Sequence, residues 1–599
     1  MVRARPVLAS IGLISALACS STPAVTPPDP CKRTDHDTLG PNAPATPRWA
    51  FLPWISKDIS TGPDTYDFVG GFQSRDIPVG AVVIDSPWET HYNTYVPNPT
   101  RYPDFAKMVA DMHAKGVKVV LWTTSMMNTS GLDSEPGGDL YDGPSPNYAE
   151  GEKCGYYIDD AQSVFWWKGY GAAIDFSNPD GAAWLHRLTD HVLDMGVDGW
   201  KLDFGESYIG HDPVKTFAGT VPLQTYSESY YADFLAYGRK KRGPEFLTMV
   251  RAWDESYQHK GRFFARREDA PVAWMGDNRR DWVGIADALD EMFRSAQAGY
   301  AVLGSDVGGY LNLDDKNLGG PEIPFDVDNF HRWVAMGAMT PFFQLHGRAN
   351  LTPWTIPGET KEETVDMYRF WAKLHTALVP FWASEAARTW ANKTSIVVPI
   401  GADPTAWAND YRYQLGNAFL VAPIVAPGGK RDVVLPTGAT WVDFWTGTEH
   451  AGGTTLAAYD ATDPKRLPLF LKEGAIVPMD VVDATNGLGT VASKSALTVL
   501  VVPAASSSFE LLAEDGTRST LGVTKDSAIH LTASALAKPT IFRVQAKSGA
   551  TSVTKGATAL DAKATRVDFD AAPEGFFVEA PYVWIKVAAS PSAIKVDVQ

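Results

Sequence analysis

The segment GWKLDFGES, residues 199–207, sets a lysine and two carboxylates where a short apolar run ends. Side chains alternate along a strand, so Trp200 and Leu202 face one way while Lys201 and Asp203 face the other. A lysine and an aspartate therefore share one side of a strand end, with Glu206 just beyond it. A second apolar run, PVAWMGD from residue 271, ends on Asp277. Two carboxyl groups about 5 to 5.5 Å apart can cleave a glycosidic bond with retention: one attacks the anomeric carbon, the other protonates the leaving oxygen and later takes a proton from water. Lys201 would favour the ionised form of Asp203, whose charge would in turn raise the pKa of Asp277 and hold its proton.

The elements that must position these groups are legible from Trp49 onward. Eight apolar runs alternate with amphipathic stretches: WAFLPW at 49, GAVVIDSPW at 80, VKVVLWTT at 117, GWKLDF at 199, EFLTMVRAW at 245, PVAWMGD at 271, YAVLGSD at 300 and PFFQLH at 341. Between them, Phe105, Met108, Val109 and Met112 repeat at helical spacing and stop before Gly116. Asn178 and Pro179 open a second helix, whose Leu185, Leu188, Val192 and Met195 face the core. Eight strand–helix units predict a (β/α)8 TIM barrel over residues 48–391, ending in a long helix near Val365 to Trp390. The alternative, an open doubly wound sheet, wants a glycine-rich phosphate loop after its first strand, and none is found. Asp85, Trp88, Trp122, Asp203, Asp277, Asp306 and His346 fall at or just after strand C-termini, which in a barrel line one mouth. With neighbouring strands about 4.8 Å apart, the fourth and sixth bring Asp203 and Asp277 within reach of each other.

After Trp390 the pattern turns to β. Runs such as NAFLVAPIVAP, DVVLPTGATWVDFW, LPLFLKEGAIVPM and ALTVLVVPA predict two β-sandwiches, at 392–482 and 483–599. The chain starts with Arg3, Arg5 and an apolar run from Val7 to Ala18, so residues 1–19 read as an export signal, with Leu17-Ala18-Cys19 resembling a lipoprotein cleavage site. Residues 20–47, rich in Pro, Thr and Ser, read as a disordered linker. Of the other cysteines, Cys31 and Cys154, no disulfide framework or zinc cluster is expected.

The 599 residues carry 70 acidic and 53 basic side chains, a net charge of -17 that disfavours nucleic acid and anionic membranes and leaves only a lipid on Cys19 as a membrane link. Twenty tryptophans and twenty-two tyrosines offer flat faces on which sugar rings stack.

These segments are similar to those of glycoside hydrolase family 31, retaining enzymes acting on α-glycosides. GWKLDFGES resembles the nucleophile signature of the family's α-xylosidase-like members, which implies Asp203 as nucleophile. AWMGDNRRDW resembles the acid/base segment, which implies Asp277, with Trp274 beside it. VLGSDVGGY, FFQLHGR and VVIDSPW stand for the segments with the sugar-binding Asp306, His346 and Asp85. Trp122 and Trp167 fall where the family places tryptophans around the sugar, and Lys201 joins these groups. RFFARRE resembles the segment with a sugar-binding arginine, Arg266, for which Arg251 of MVRAW competes. The family usually places a β-sandwich before the barrel, and this chain has no room for one. The resemblance implies an oligosaccharide or glycoside substrate, an α-glucoside or α-xyloside first, an α-galactoside or sulfonated glucoside otherwise, and no cofactor or metal. Two other classes stay open. Asp203, Glu206, Asp277 and Asp306 could hold Mg²⁺ or Mn²⁺ for isomerase or lyase chemistry, and an exported chain of this kind could be a non-catalytic glycan receptor.

Overall fold

Eight parallel strands close into a barrel in the computed structural model, which describes residues 1–2, 29–133, 138–141, 143–258, 260–358 and 361–599. The strands are Trp54–Lys57, Ala81–Ile84, Lys118–Thr123, Gly199–Leu202, Leu247–Arg251, Val272–Trp274, a seventh in two halves, and Gln344–Leu345. The seventh is interrupted at Ser305. Its first half, Leu303–Gly304, pairs with the sixth strand, and its second half, Asp306–Val307, pairs with the eighth, which returns to the first. Seven of the strands fall on the runs read from the sequence; the first does not, because Arg48–Phe51 of the run WAFLPW forms a tight 3-10 turn and only Trp54 of that run belongs to the strand Trp54–Lys57.

The strands are nearly continuous apolar runs because both faces are covered: Val82, Val119, Leu121, Trp200, Val250 and Ala273 are buried. Helices Gly62–Gln73, Phe105–Ala114, Pro179–Leu193, Leu223–Arg242, Trp282–Gln297, Val327–Ala338 and Lys361–Ala377 form the outer ring. Side chains of Thr61, Asp104, Asn178, Asp281 and Asp326 accept the free amides that open five of them, and Pro179 occupies the first helical turn. Two expectations change here. Among the described residues the fifth strand is followed not by an α-helix but by a short hairpin, Trp253–Asp254 with Arg262–Phe263, and by tight turns at Ser256–Gln258 and Arg267–Asp269. The single long helix near Val365 to Trp390 is two, Lys361–Ala377 and Val379–Asn392, divided at Leu378, with Pro380 in the first turn of the second.

After the third strand the chain makes an excursion that builds a four-stranded antiparallel sheet: Met126–Leu132, Leu140–Tyr141, Val164–Trp166 and Gly169–Ala173. This sheet carries Trp166 and Trp167 back toward the third strand, where Trp166 lies parallel to Trp122 at 6.4 Å.

Two sandwiches follow the barrel. The first sets a six-stranded sheet spanning Val397–Pro399 to Leu469–Lys472 beside a two-stranded one around Val433, Leu435, Trp441 and Phe470. The second packs sheets of five and six strands around Val499, Leu521, Phe542, Val583 and Val596. Ile476–Met479, expected in the first sandwich, hydrogen-bonds antiparallel with Leu497–Val501 and is part of the second.

The export signal and Cys19 lie outside the described residues. The described part of the expected linker, 29–47, is not a free tether. Cys31 forms a disulfide with Cys154, 123 residues away. That corrects the expectation for these cysteines, whose pairing sequence spacing could not announce. Asp180 accepts from Lys32, from the Arg33 amide and pairs with His36, while Asp37 meets His186, Arg187 and Lys240. The Pro- and Thr-rich composition read as linker therefore conceals fixed polar anchors that dock on the barrel helices.

A cross-link closing so long a loop is worth at most about 4 to 5 kcal/mol. Cys31→Ser is therefore expected to lower the thermal midpoint by several degrees and to open Lys32 and Arg33 to trypsin while the barrel stays intact. Equal midpoints and equal resistance in both proteins would show that the ion pairs alone hold the arm.

Candidate active site

Asp203 sits one residue past the fourth strand, its amide bonded to the carbonyl of Thr123 on the third at 2.9 Å. Its Oδ1 accepts the Arg251 guanidinium at 2.9 Å and the Phe204 amide at 2.9 Å, and its Oδ2 accepts the Trp122 indole N–H at 3.0 Å. Burial works to raise the pKa of Asp203, but Arg251, Lys201 and these donors outweigh it and hold the carboxyl below the ordinary range.

Arg251 ends the fifth strand and its side chain is 0 % exposed. Its Nη2 lies 2.9 Å from Asp203 Oδ1 and 3.0 Å from Asp277 Oδ1. One nitrogen touches both, so these two Oδ1 atoms stand no more than about 6 Å apart. Nη1 bonds Asp254, and the guanidinium lies over the rings of Phe204 at 3.9 Å and Trp274 at 4.7 Å. Asp277 Oδ2 accepts the Tyr257 hydroxyl at 2.8 Å. Burial pushes Asp277 up to about 6 against the pull of Arg251, and the charge of Asp203 adds to the rise. Gly276 makes the approach possible. Its φ is +65°, and a Cβ there would stand 2.4 Å from Asp254 and 2.8 Å from Arg251.

A second cation organises the neighbouring wall. Lys201 Nζ lies 2.7 Å from Asp85 Oδ2 and 3.1 Å from His346 Nε2, with Trp274 at 5.4 Å. Burial lowers the pKa of Lys201, but Asp85, Asp306 and Asp203 more than reverse this. His346 is held well below its ordinary pKa by burial and by Lys201, so the ring is neutral. Asp58, just past the first strand, stands 3.6 Å from the same imidazole nitrogen and accepts the Tyr310 hydroxyl at 2.9 Å. Asp306 receives Gln344 at 2.7 Å on Oδ1, while Oδ2 is buried with no hydrogen-bond partner among the described residues. Burial pushes Asp306 up to about 7 against the pull of Lys201, with Asp277 adding to the rise.

The structure thus brings together Asp85, Trp122, Lys201, Asp203, Trp274, Asp277, Asp306 and His346. Trp167 is half-buried at their edge, against Phe204 at 5.5 Å and Tyr208 at 5.3 Å. Trp88 does not reach them: fully buried, it donates to the Trp122 carbonyl at 2.7 Å and stacks on Phe105, supporting Trp122 from behind. Arg266 is the clear correction. Its side chain is 52 % exposed and pairs with Asp269, because the turn after the hairpin faces outward, and Arg251 holds the central place. Three contributors were missed. Asp58 follows the first strand as Asp85 follows the second, but the run WAFLPW placed that strand's end at Trp54 instead of Lys57 and so hid it. Asp254 and Tyr257 lie in an irregular loop with no periodic signal.

The metal alternative fits poorly. Asp203 and Asp277 share a guanidinium, and Glu206 is buried against Ser227, Tyr231 and Arg262. Asp58, Asp85 and His346 offer ligand atoms within 4.8 Å of one another. Lys201, bonded to two of them, supplies the cation there.

Comparison with known proteins accords with this geometry. The family model described as "Glycosyl hydrolases family 31 TIM-barrel domain" matches residues 43–385, and "Glycosyl hydrolase family 31 C-terminal domain" matches 391–477. The chain belongs to glycosyl hydrolase family 31. Among its relatives, an alpha-xylosidase of Emericella nidulans is 23 % identical over 455 residues, covering 72 % of this chain and 54 % of that protein. A 1,3-alpha-isomaltosidase of Kribbella flavida is 26 % identical over 471 residues, covering 70 % and 60 %. This chain thus matches little more than half the length of these relatives. The cycloalternan-forming enzyme of Listeria monocytogenes, solved with a pentasaccharide substrate, superposes with a TM-score of 0.79 at 22 % identity, over 94 % of this chain and 55 % of that one. A family 31 dextranase of Flavobacterium johnsoniae, complexed with isomaltotriose, gives 0.75 at 18 %, over 94 % and 71 %. These superpositions establish the shared fold.

The raised carboxyls also carry a stability signature. A carboxyl whose pKa is higher folded than unfolded stabilises the fold below the unfolded value, near 4, and loses that contribution as pH rises through the folded value. For Asp306 the loss runs up to about pH 7. The wild-type thermal midpoint should therefore fall between pH 5 and pH 8, and Asp306→Asn, which keeps an oxygen for Gln344, should flatten that fall. Parallel curves for the two proteins would refute the protonated state.

Proposed function

We propose that this chain is an exported retaining α-glycoside hydrolase that cleaves terminal α-linked sugars through a covalent glycosyl-aspartate. The observation that carries the reading is the Arg251 guanidinium held between Asp203 and Asp277, two carboxyls whose pKa values are displaced in opposite directions. A lowered carboxyl is a ready nucleophile and a raised one a proton store. In the first step Asp203 bonds to the anomeric carbon while the glycosidic C–O bond breaks and the Asp277 proton passes to the leaving oxygen. Oδ2 of Asp203 accepts one hydrogen bond, from Trp122, against two groups on Oδ1, and so keeps a lone pair for attack. In the second step water attacks the same carbon, its proton goes to Asp277, and the Asp203 carboxylate is released. No cofactor enters either step.

An α-glucoside or α-xyloside is the favoured substrate, with an α-galactoside as the alternative. Support comes from the neutral His346 beside Lys201 and Asp85, a donor–acceptor set suited to sugar hydroxyls, and from relatives named alpha-xylosidase and alpha-glucosidase. A sulfonated sugar is disfavoured, because Lys201 and Arg251 each already bond carboxylates. A glycan receptor would have no use for carboxyls displaced in opposite directions. Export is supported by the leading Arg3, Arg5 and apolar run, and by the Cys31–Cys154 bond, which suits an oxidising compartment. A lipid on Cys19 belongs to the same proposal.

The test is hydrolysis of 4-nitrophenyl α-glucoside, xyloside, galactoside and N-acetylgalactosaminide with chelator present. One of them should be turned over, and Asp203→Ala should lose at least about 10⁴-fold in kcat. Asp277→Ala should keep bond cleavage with an activated aryl leaving group, and added azide should yield the α-glycosyl azide. Full activity of Asp203→Ala would refute the mechanism.

A further inference from the structure

Tyr257 is used by none of the roles assigned above, yet it is held with unusual care. Its backbone sits in the left-handed region at φ 56°, ψ 32°, a conformation that costs a non-glycine residue about 1 kcal/mol or more and persists where the surroundings dictate it. The surroundings do so. Asp254 takes Arg251 on Oδ2 and both the amide and the hydroxyl of Ser256 on Oδ1, which ties the turn to the end of the fifth strand. The Tyr257 amide donates to Asp315 Oδ2 at 3.3 Å, and the ring packs against Phe204 at 6.2 Å. The outcome is a phenol whose hydroxyl meets Asp277 Oδ2 at 2.8 Å, opposite the oxygen that Arg251 holds.

We propose that Tyr257 is a positioning residue for the acid/base, fixing the plane of the Asp277 carboxyl and favouring its ionised form in the second step of the reaction. The inference rests on the glycosidase reading. With one donor on each oxygen, Asp277 has no freedom to rotate. A donor to the charged form of a carboxyl lowers its pKa, so the hydroxyl opposes the rise that burial and Asp203 impose. Burial and the Asp277 charge keep the phenol itself protonated, and so able to donate. The other charged groups that face Asp277 are Arg251 and Asp254 on and after the fifth strand, Asp203 and Lys201 on the fourth, and Asp306 on the seventh, with Tyr208 nearby. A Tyr257→Phe change leaves all of these in place.

Protonation of the leaving group uses the acid form of Asp277, which the phenylalanine variant retains, whereas activation of water uses the base form, which the tyrosine favours. For an aryl α-glycoside whose second step is limiting, Tyr257→Phe should therefore lower kcat and KM together by about threefold to tenfold. Its kcat/KM at acid pH should stay near wild type. The alkaline limb of kcat/KM against pH should move upward by about half to one unit, with the thermal midpoint within a few degrees of wild type.

A limb that coincides with the wild type's, in a folded variant measured beside an active wild type and an inactive Asp203→Ala, would overturn this inference and leave the glycosidase reading standing. A drop in kcat/KM that is uniform across pH would mean that Tyr257 only supports the loop, and would overturn it equally. A wild type that hydrolyses no α-glycoside would overturn both.

Discussion

A single guanidinium, fully removed from solvent, holds the site together. Taking Arg251 out of water costs several kcal/mol unless the charge is matched and its donors are satisfied. Asp203, Asp277 and Asp254 supply that match, and the faces of Phe204 and Trp274 enclose the rest. The dependence runs both ways, because the guanidinium is the strongest pull holding the buried Asp203 carboxyl ionised and opposes the rise at Asp277. The planar fork of arginine is needed here, since a lysine ammonium presents a point charge and could not reach three carboxylates from a fixed stem. Arg251 thereby brings the Asp203 and Asp277 carboxyls together and biases their charge.

Lys201 performs the equivalent task one strand away, for Asp85, His346 and Asp58. Both cations issue from the barrel strands themselves, Lys201 where the backbone is paired on both sides and Arg251 at a strand end paired with Trp274 of the sixth. Their partners come from strand ends and from the loops that follow. The more rigid elements thus carry the positive charges and the more variable ones carry the negative charges, which lets the loops change without moving the centres to which they bind.

Much of this was readable in the sequence, for identifiable reasons. A strand buried on both faces is a continuous apolar run, so seven of the eight announced themselves, and the polar residue closing those runs marked the mouth; the first, WISK, ends in polar residues and was read too early, on WAFLPW. Asp203, Asp277, Asp306 and His346 were found that way. The rule failed where the chain leaves the barrel. The loop after the fifth strand contains no helix to give it a period, so Asp254 and Tyr257 could not be placed, and the choice between Arg251 and Arg266 had to be made on likeness of segments. Arg251 is the residue at a strand end, and the strand-end rule alone would have chosen it. Trp88 shows the opposite error: it occupies the right place along the chain, but its side chain turns behind Trp122. The polar anchors at Lys32, Arg33 and Asp37 were hidden by composition, since a segment rich in Pro and Thr reads the same whether it is free or pinned.

The seam in the seventh strand has a consequence for how such a barrel can change over time. Leu303–Gly304 is registered to the sixth strand and Asp306–Val307 to the eighth, with Ser305 between them receiving the Trp333 indole at 2.8 Å, and across the seam only the Leu303 carbonyl, accepting the Phe342 amide at 3.2 Å, links the first half to the eighth run among the described residues. In an unbroken barrel, a slip of one strand is transmitted around the whole circumference. Here the ladder changes partners at Ser305, so the side that bears Asp277 and the wall that bears Asp306 are joined through one residue and one bond rather than through a continuous ladder.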